Sequence, residues 1–408
     1  MTREVDVVVV GAGPAGLAAA TRLRERGVAR VLVLEREASP GGVPRHCVHP
    51  GFGLRDLHRS LSGPRYAEEL VRRALARGVR IEVATTVTDV DAEGVSLTSQ
   101  RGTERIDARA VVVATGARER PRAARVVAGE RPAGVFTTGQ LQQWTYLEGL
   151  PVGRRALVVG AEHVSFSAIM TLRHAGVATV ALVTDLARHQ SVAGAGLFAR
   201  AYGHARVITG TRVLEIRGRG RVNSVVLEDL ATGRNWSEQV DTVVFSGDWI
   251  PDHDLVRRGG VVMDPGTRGP ASDGAGRTSV AGLYTAGNLM HPVESADVVA
   301  VGAREVADAV AAELAHRATP SREWVQLRVE SPLRWIWPNR ILQGHSPRYA
   351  RLRTNHFTAA TTLEALNGAG DVVVAASLRR TTPHRSLQVP PRVVAALGHD
   401  GVEIVRLR

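Results

Sequence analysis

Val5-Asp6-Val7-Val8-Val9-Val10-Gly11-Ala12-Gly13-Pro14-Ala15-Gly16-Leu17 decides the architecture of this chain. A short, β-branched apolar run of this kind fits a buried parallel strand. It breaks at a Gly-x-Gly-x-x-Gly loop; residues 17–26 then show helical spacing, closed by Gly27. Residues 31–34 read as the next strand and end at Glu35. Each glycine has a task in such a unit. Gly11 permits the tight turn, Gly13 lets backbone approach a pyrophosphate, and Gly16 lets the helix lie close on the strand. The helix N-terminus offers N–H groups and partial positive charge to phosphates. Glu35 stands where a carboxylate binds ribose hydroxyls. A glutamate there argues against a 2′-phosphate, although Arg36 follows directly.

Working outward, residues 66–77 read as a helix and 81–87 and 107–114 as strands, the last ending in Ala114-Thr115-Gly116. The pattern repeats from Arg155: a strand over 156–159, a turn at Gly160, a helix over 165–175, and a strand over 180–184 ending at Asp185. Residues 240–245 look like a returning strand; 282–287 and a helix over about 296–314 rejoin the first domain. Beyond Thr319-Pro320 the composition changes: Trp324, Trp335 and Trp337 cluster, with strand-like pieces at 371–375 and 402–407. The expected fold is α/β: two nested Rossmann-like dinucleotide-binding domains plus a small β-containing C-terminal domain. The expected boundaries are 1–118 with 278–318, an inserted domain over 119–277, and a basic domain over 320–408.

The 408 residues allow two or three well-buried domains, and 44% hydrophobic with 23% charged residues is ordinary for a soluble protein. No apolar run approaches the roughly 20 residues of a membrane span, and the N-terminus lacks a signal-peptide layout, so a cytoplasmic protein is expected. Cys47 is the only cysteine, which excludes an internal disulfide and a cysteine-ligated cluster. The net charge is +12 and every basic side chain is arginine, so Schiff-base chemistry is excluded. Residues 320–408 carry 13 Arg against 6 Asp+Glu. With aromatics at 4% and no recognition motif, a solvated arginine surface or an acidic partner is expected rather than nucleic acid.

Several stretches carry a family resemblance. Gly11–Gly16 with Glu35-Arg36, Gly41-Gly42, Ala114-Thr115-Gly116 and Thr285-Ala286-Gly287-Asn288 resembles the flavoprotein superfamily with two dinucleotide-binding domains. The stretches 45–54, 118–121, 131–139 and 287–291 are similar to a bacterial FAD/NAD(P)-dependent oxidoreductase group. That group includes flavin subunits of opine oxidases, hydrogen cyanide synthase, hydroxyproline dehydrogenase and heteromeric sarcosine oxidase, and flavoproteins associated with glycerol-3-phosphate oxidation. The resemblance covers roughly residues 4–316 and implies FAD as cofactor. By that resemblance Gly11, Gly13, Pro14, Ala15 and Gly16 would hold the pyrophosphate, and Glu35, with Arg36 beside it, the adenosine ribose. Gly42 and Arg45 would lie along the diphosphate and ribityl chain and Val87 by the adenine. Ala114, Thr115, Gly116 and Gly287 would lie beside the cofactor. Asn288 replaces the usual aspartate and would offer its amide to a ribityl hydroxyl or phosphate.

The second loop, Gly160-Ala161-Glu162-His163-Val164-Ser165, departs from the rule because Glu162 replaces the middle glycine. Its bulk and charge oppose a pyrophosphate, so a retained scaffold is favoured over a conventional NAD(P) site. Electrons would then pass between FAD and a quinone, oxygen or a partner subunit. Near the flavin, Cys47 is read either as a thiolate activated by His46 or Arg45, or as a small buried hydrophobe. His46 and His49 are read as proton donors and acceptors or as structural hydrogen-bond groups. His291, Glu294 and Asp297 follow the last motif and are read as candidate catalysts or, for one of them, as an N-cap. No metal-ligand spacing stands out. The sequence points to an FAD-dependent oxidoreductase, read as one subunit of a heteromeric dehydrogenase or oxidase for an amine, amino acid, opine or polyol. A self-contained NAD(P)H-dependent flavin reductase and a non-catalytic FAD-holding scaffold are the rival readings. Substrate and oligomeric state are not encoded in any motif.

Overall fold

The computed structural model describes residues 3–191, 194–316 and 323–408, so the boundary expected at Thr319-Pro320 lies outside the described residues. The chain divides into two compact units. One comprises residues 1–45, 50–117 and 251–408, the other 46–49 and 118–250.

In the first unit the strand Arg3–Val10 pairs in parallel with Val31–Leu34 on one side and Gly102–Val113 on the other. Leu283–Thr285 also pairs in parallel with Gly102–Val113, which brings residue 285 level with Val113. Strand side chains alternate between faces, so one valine run feeds two cores. Val7, Val9, Val31, Val33 and Val112 face the helices Pro14–Glu25, Gly63–Ala76 and Ala296–His316. Val8, Val10, Leu32, Leu34 and Val113 face Val95, Leu97 and Ile106 on the opposite side. The helices Pro14–Glu25 and Ala296–His316 lie against each other through small residues, among them Ala18, Ala19, Ala300, Ala303 and Ala307.

Two expectations change here. The strand expected over 81–87 is two strands, Arg80–Glu82 and Thr86–Asp91. Ala84 takes a left-handed φ of 49°, and the Ala84 and Thr85 amides donate to the carbonyls of Glu37 and Glu35 instead of to a ladder. Residues 251–277, expected in the inserted domain, group with the first unit. The cause is the helix Asp254–Arg258, whose Leu255 and Val256, with Val261 after it, fill the core behind the sheet.

Also within this unit, residues 323–408 form short sheets around a core of their own. Val402–Leu407 joins Thr361–Asn367 and Val372–Leu378; Leu333–Trp337 pairs with Arg351–Thr354. The helix Pro391–Ala396 covers them through Val393 and Val394. Leu333 and Ile336 enter that core, while Trp335 and Trp337 turn to the opposite face and meet Met290.

The second unit repeats the architecture. Its parallel sheet runs Val135–Thr137, Thr242–Phe245, Arg155–Val159, Ala178–Val183, Arg206–Ile208. The helices Thr138–Tyr146 and His163–His174 cover one face and an antiparallel sheet led by Thr211–Arg217 covers the other. Among the described residues no helix is long and apolar enough to cross a membrane, and no cluster of potential metal ligands is present.

Candidate dinucleotide site

The first glycine loop is built by contacts that leave no room for side chains. The Gly11 amide donates to Leu34 O at 2.8 Å, turning the chain out of the sheet. A Cβ at Gly16 would stand 1.9 Å from Gly11 O, so the helix could not sit where it does. A Cβ at Gly42, whose φ is +63°, would stand 2.8 Å from the Gly13 Cα; a Cβ at Gly287 would stand 2.6 Å from that of Ala15. Three backbone segments thus meet at the start of the helix Pro14–Glu25. That helix opens on Gly13 with no side-chain cap and no acid in its first turn, and Pro14 has no N–H to satisfy. A backbone cradle against an uncapped helix N-terminus suits the pyrophosphate of a dinucleotide.

Glu35 is buried and holds the turn: its carboxylate accepts from the Ala12 amide at 2.8 Å and the Glu37 amide at 2.9 Å. Arg36 is exposed and pairs with Asp252 at 3.3 Å. Arg45 reaches back to Glu37 at 2.5 Å and to Ser39 O at 3.0 Å, so its guanidinium already has partners beside the cradle. Val87 is half-buried against the core behind the sheet. The Ala114 amide donates to Val10 O; Thr115 Oγ1 donates to Asp252 O, and the Asp252 amide donates to Gly116 O.

Three sequence expectations change in this unit. The Asn288 amide closes the 288–294 loop: Nδ2 donates to Glu294 O at 3.1 Å and Oδ1 accepts from the Glu294 amide at 2.8 Å. His291 is buried between Trp335 and Trp337, with ring centroids 5.1 and 4.9 Å away. Burial, then Arg351 and Arg353, push its imidazole down to about 3, which favours the neutral ring. Asp297 and Glu294 are structural: Asp297 accepts from Ser295 Oγ, the Val298 amide and the Arg55 amide, and Glu294 from the Ser386 hydroxyl.

Within the second unit, His46 Nδ1 lies 3.3 Å from Gln142 Oε1, and Cys47 Sγ donates to the same oxygen at 3.3 Å. Gln142 Nε2 donates in turn to Ser167 Oγ at 3.0 Å. Burial, with Glu119 adding its charge, pushes the Cys47 thiol up to about 12. Burial therefore favours the neutral thiol over the thiolate. His49 is half-buried. Sequence reasoning missed Glu119. It sits at the start of the helix Thr138–Tyr146 and accepts from the Gly139 amide at 2.7 Å, but its Oε1 has no partner. Burial outweighs that amide and raises its carboxyl to about 7. The only signal was a charge inside the family-like stretch 118–121, which reads equally as surface.

The second glycine loop keeps the backbone and loses the cradle. Gly160 donates to Val183 O at 2.8 Å, as Gly11 does to Leu34. Glu162 caps its helix at φ −95°, ψ −179°, nearly the −79°, −176° of Gly13. Its carboxylate turns inward, is buried, and accepts from Ser246 Oγ. Arg125 covers the same strand ends, donating to Ser246 O and Gly247 O at 2.8 Å. The register also shows that Thr184, not Asp185, occupies the position of Glu35; Asp185 is exposed one residue further on.

Residues 5–318 match the family model described as pyridine nucleotide-disulphide oxidoreductase. The chain is 30% identical over 322 residues to the alpha chain of sarcosine oxidase from Corynebacterium sp. (strain P-1), covering 73% of this chain and 31% of that protein. It is 27% identical over 339 residues to an opine oxidase subunit of Agrobacterium tumefaciens (strain Ach5), covering 75% of this chain and 64% of that one. It thus spans from about a third to under two thirds of these relatives. Among solved structures, the thioredoxin reductase of T. acidophilum shares the fold, with a TM-score of 0.64 at 22% identity over 76% of this chain and 99% of that one. The chain belongs to the pyridine nucleotide-disulphide oxidoreductase family and is an FAD-dependent oxidoreductase.

Proposed function

We propose that this chain is the flavin subunit of a heteromeric dehydrogenase or oxidase that acts on an amine, amino acid, opine or polyol. Its electrons would go to a quinone, oxygen or a partner subunit. The observation that carries this reading is the buried Glu162 carboxylate, which takes the space a nicotinamide dinucleotide would need in the second unit. The names of the sarcosine and opine oxidase subunits support the substrate class and the partner.

Bound FAD supplies hydride acceptance at its N5. The chain's own groups do the rest. Gly11, Gly13, Pro14, Ala15 and Gly16, with Gly42 and Gly287 closing over them, receive the pyrophosphate on backbone. Glu35 fixes the turn through Ala12 and leaves its remaining lone pairs for ribose hydroxyls. Arg36, Arg45, Val87, Ala114, Thr115 and Gly116 line the path of the cofactor. His46 and His49 are the groups proposed for proton exchange.

Anaerobic stopped-flow mixing of the FAD-loaded chain with NADH and with NADPH tests this reading. The flavin should stay oxidised with both and be reduced by an amine or amino-acid substrate once the partner from the native host is present. Rapid bleaching by either nicotinamide would establish the self-contained reductase instead.

A further inference from the structure

Arg353 is a buried cation with no ion pair of its own. It lies on the strand Arg351–Thr354 and is 5% exposed. Its Nη2 donates to Val293 O at 3.1 Å and its Cζ lies 5.2 Å from the centre of the Trp335 ring, while Nε has no partner. Among the described residues no carboxylate forms an ion pair with it. Glu294, whose charge acts on it, is already engaged by Arg351 at 3.5 Å and by the Ser386 hydroxyl. Two guanidinium groups therefore share one carboxylate. Burial lowers the Arg353 pKa only to about 10, so the charge persists at neutral pH. One carbonyl and one aromatic face do not replace the hydration of a guanidinium with five donors.

The neighbours repeat the deficit. Trp335, 1% exposed, has an indole Nε1–H with no partner, and the buried His291 has an unpartnered Nδ1. The rings of Trp335 and His291 lie 5.1 Å apart, and Arg353 stands directly opposite Trp335 in the strand register. Three unmet polar nitrogens and an unbalanced positive charge thus share one cluster. That cluster rests on the 287–293 loop, which opens at Gly287 against the start of the helix Pro14–Glu25.

We propose that Arg353, Trp335 and His291 form an anion site that takes the carboxylate of a small organic acid. This rests on the proposed function and narrows it: the substrate carries a carboxylate, as an amino acid or opine does and a simple polyol does not. Arg353 supplies charge and a directed N–H, and Trp335 a neutral donor. His291, neutral as it is, donates from whichever ring nitrogen carries its proton.

The test is a titration of the FAD-loaded chain with sodium acetate at constant ionic strength, sodium chloride making up the balance, read by thermal unfolding. A saturable rise in Tm of roughly 2–4 °C is expected. It should vanish in Arg353→Gln, which retains a donor for Val293 O. No saturable rise in the wild type overturns the site, whether or not the variant folds. So does a rise that persists in the variant, or one produced by chloride alone. Turnover is not needed for this readout. A chain that binds acetate but is reduced by no amine or amino acid, with its partner present, overturns the functional reading and leaves the anion site standing.

Discussion

The two glycine loops share a backbone and differ in what they can hold. Gly13 and Glu162 occupy the same helix-cap position with nearly the same dihedrals, in a region every L-residue can adopt. The glycine at 13 is therefore needed for space, not for conformation. Gly16 is the opposite case. The helix in the first unit approaches so closely that no Cβ fits, whereas Ser165 is accommodated at the corresponding place, fully buried with its hydroxyl unpartnered. The comparison separates two jobs that a single glycine motif conceals: one residue sets how close the helix lies, the other how close a ligand can come.

Exchanging residues between the loops breaks the comparison in graded ways. Gly16→Ser, which copies the second loop into the first, should have the largest effect, costing about 3 kcal/mol or more because Gly11 O must move. The reciprocal Ser165→Gly should stay within about 1 kcal/mol, both read by chemical denaturation. Gly13→Glu should fold normally yet lose FAD affinity by roughly 100-fold or more, as a carboxylate enters a phosphate cradle. Flavin absorbance per polypeptide after gel filtration measures this, and a variant that keeps its flavin would refute the role assigned to Gly13.

The second unit offers a pH signature. The Glu119 carboxyl is raised from 4.5 to about 7. The folded chain thus binds more protons than the unfolded chain between those values. Its contribution is fully present below pH 4.5 and is lost as the pH rises through about 7. Glu119→Gln should flatten that slope and stabilise the protein above about pH 7 by on the order of 2 kcal/mol. Melting curves from about pH 4.5 to about pH 8 decide it. The smallest effect belongs to Glu162→Ala: about 1 kcal/mol from the lost Ser246 bond. It should give no reduction by NADH, since Thr184 stands where the ribose acid is needed.

The sheets were legible in the sequence because buried parallel strands are written as uninterrupted valine runs punctuated by glycine. The cradle was legible for the same reason. Residues 251–277 were misplaced because the helix Asp254–Arg258 is too short to show periodicity, and what assigns it is the distant core it fills. The fates of Asn288 and Cys47 were equally hidden. Both depend on partners, the Glu294 backbone and the Gln142 side chain, that only the folded loop and helix bring near. Arg353 shows the limit most clearly. Among 52 arginines nothing in the spelling marks Arg353 as one that folding buries without an ion pair of its own.

The shared dihedrals at Gly13 and Glu162 have a consequence for how such proteins diversify. Because the cap position tolerates any L-residue, a nucleotide-binding domain can be retired by one substitution without passing through an unfolded intermediate. At Gly16 in the first unit that route is closed, because a Cβ there would meet Gly11 O. What the chain can forget is decided by which glycine holds only emptiness.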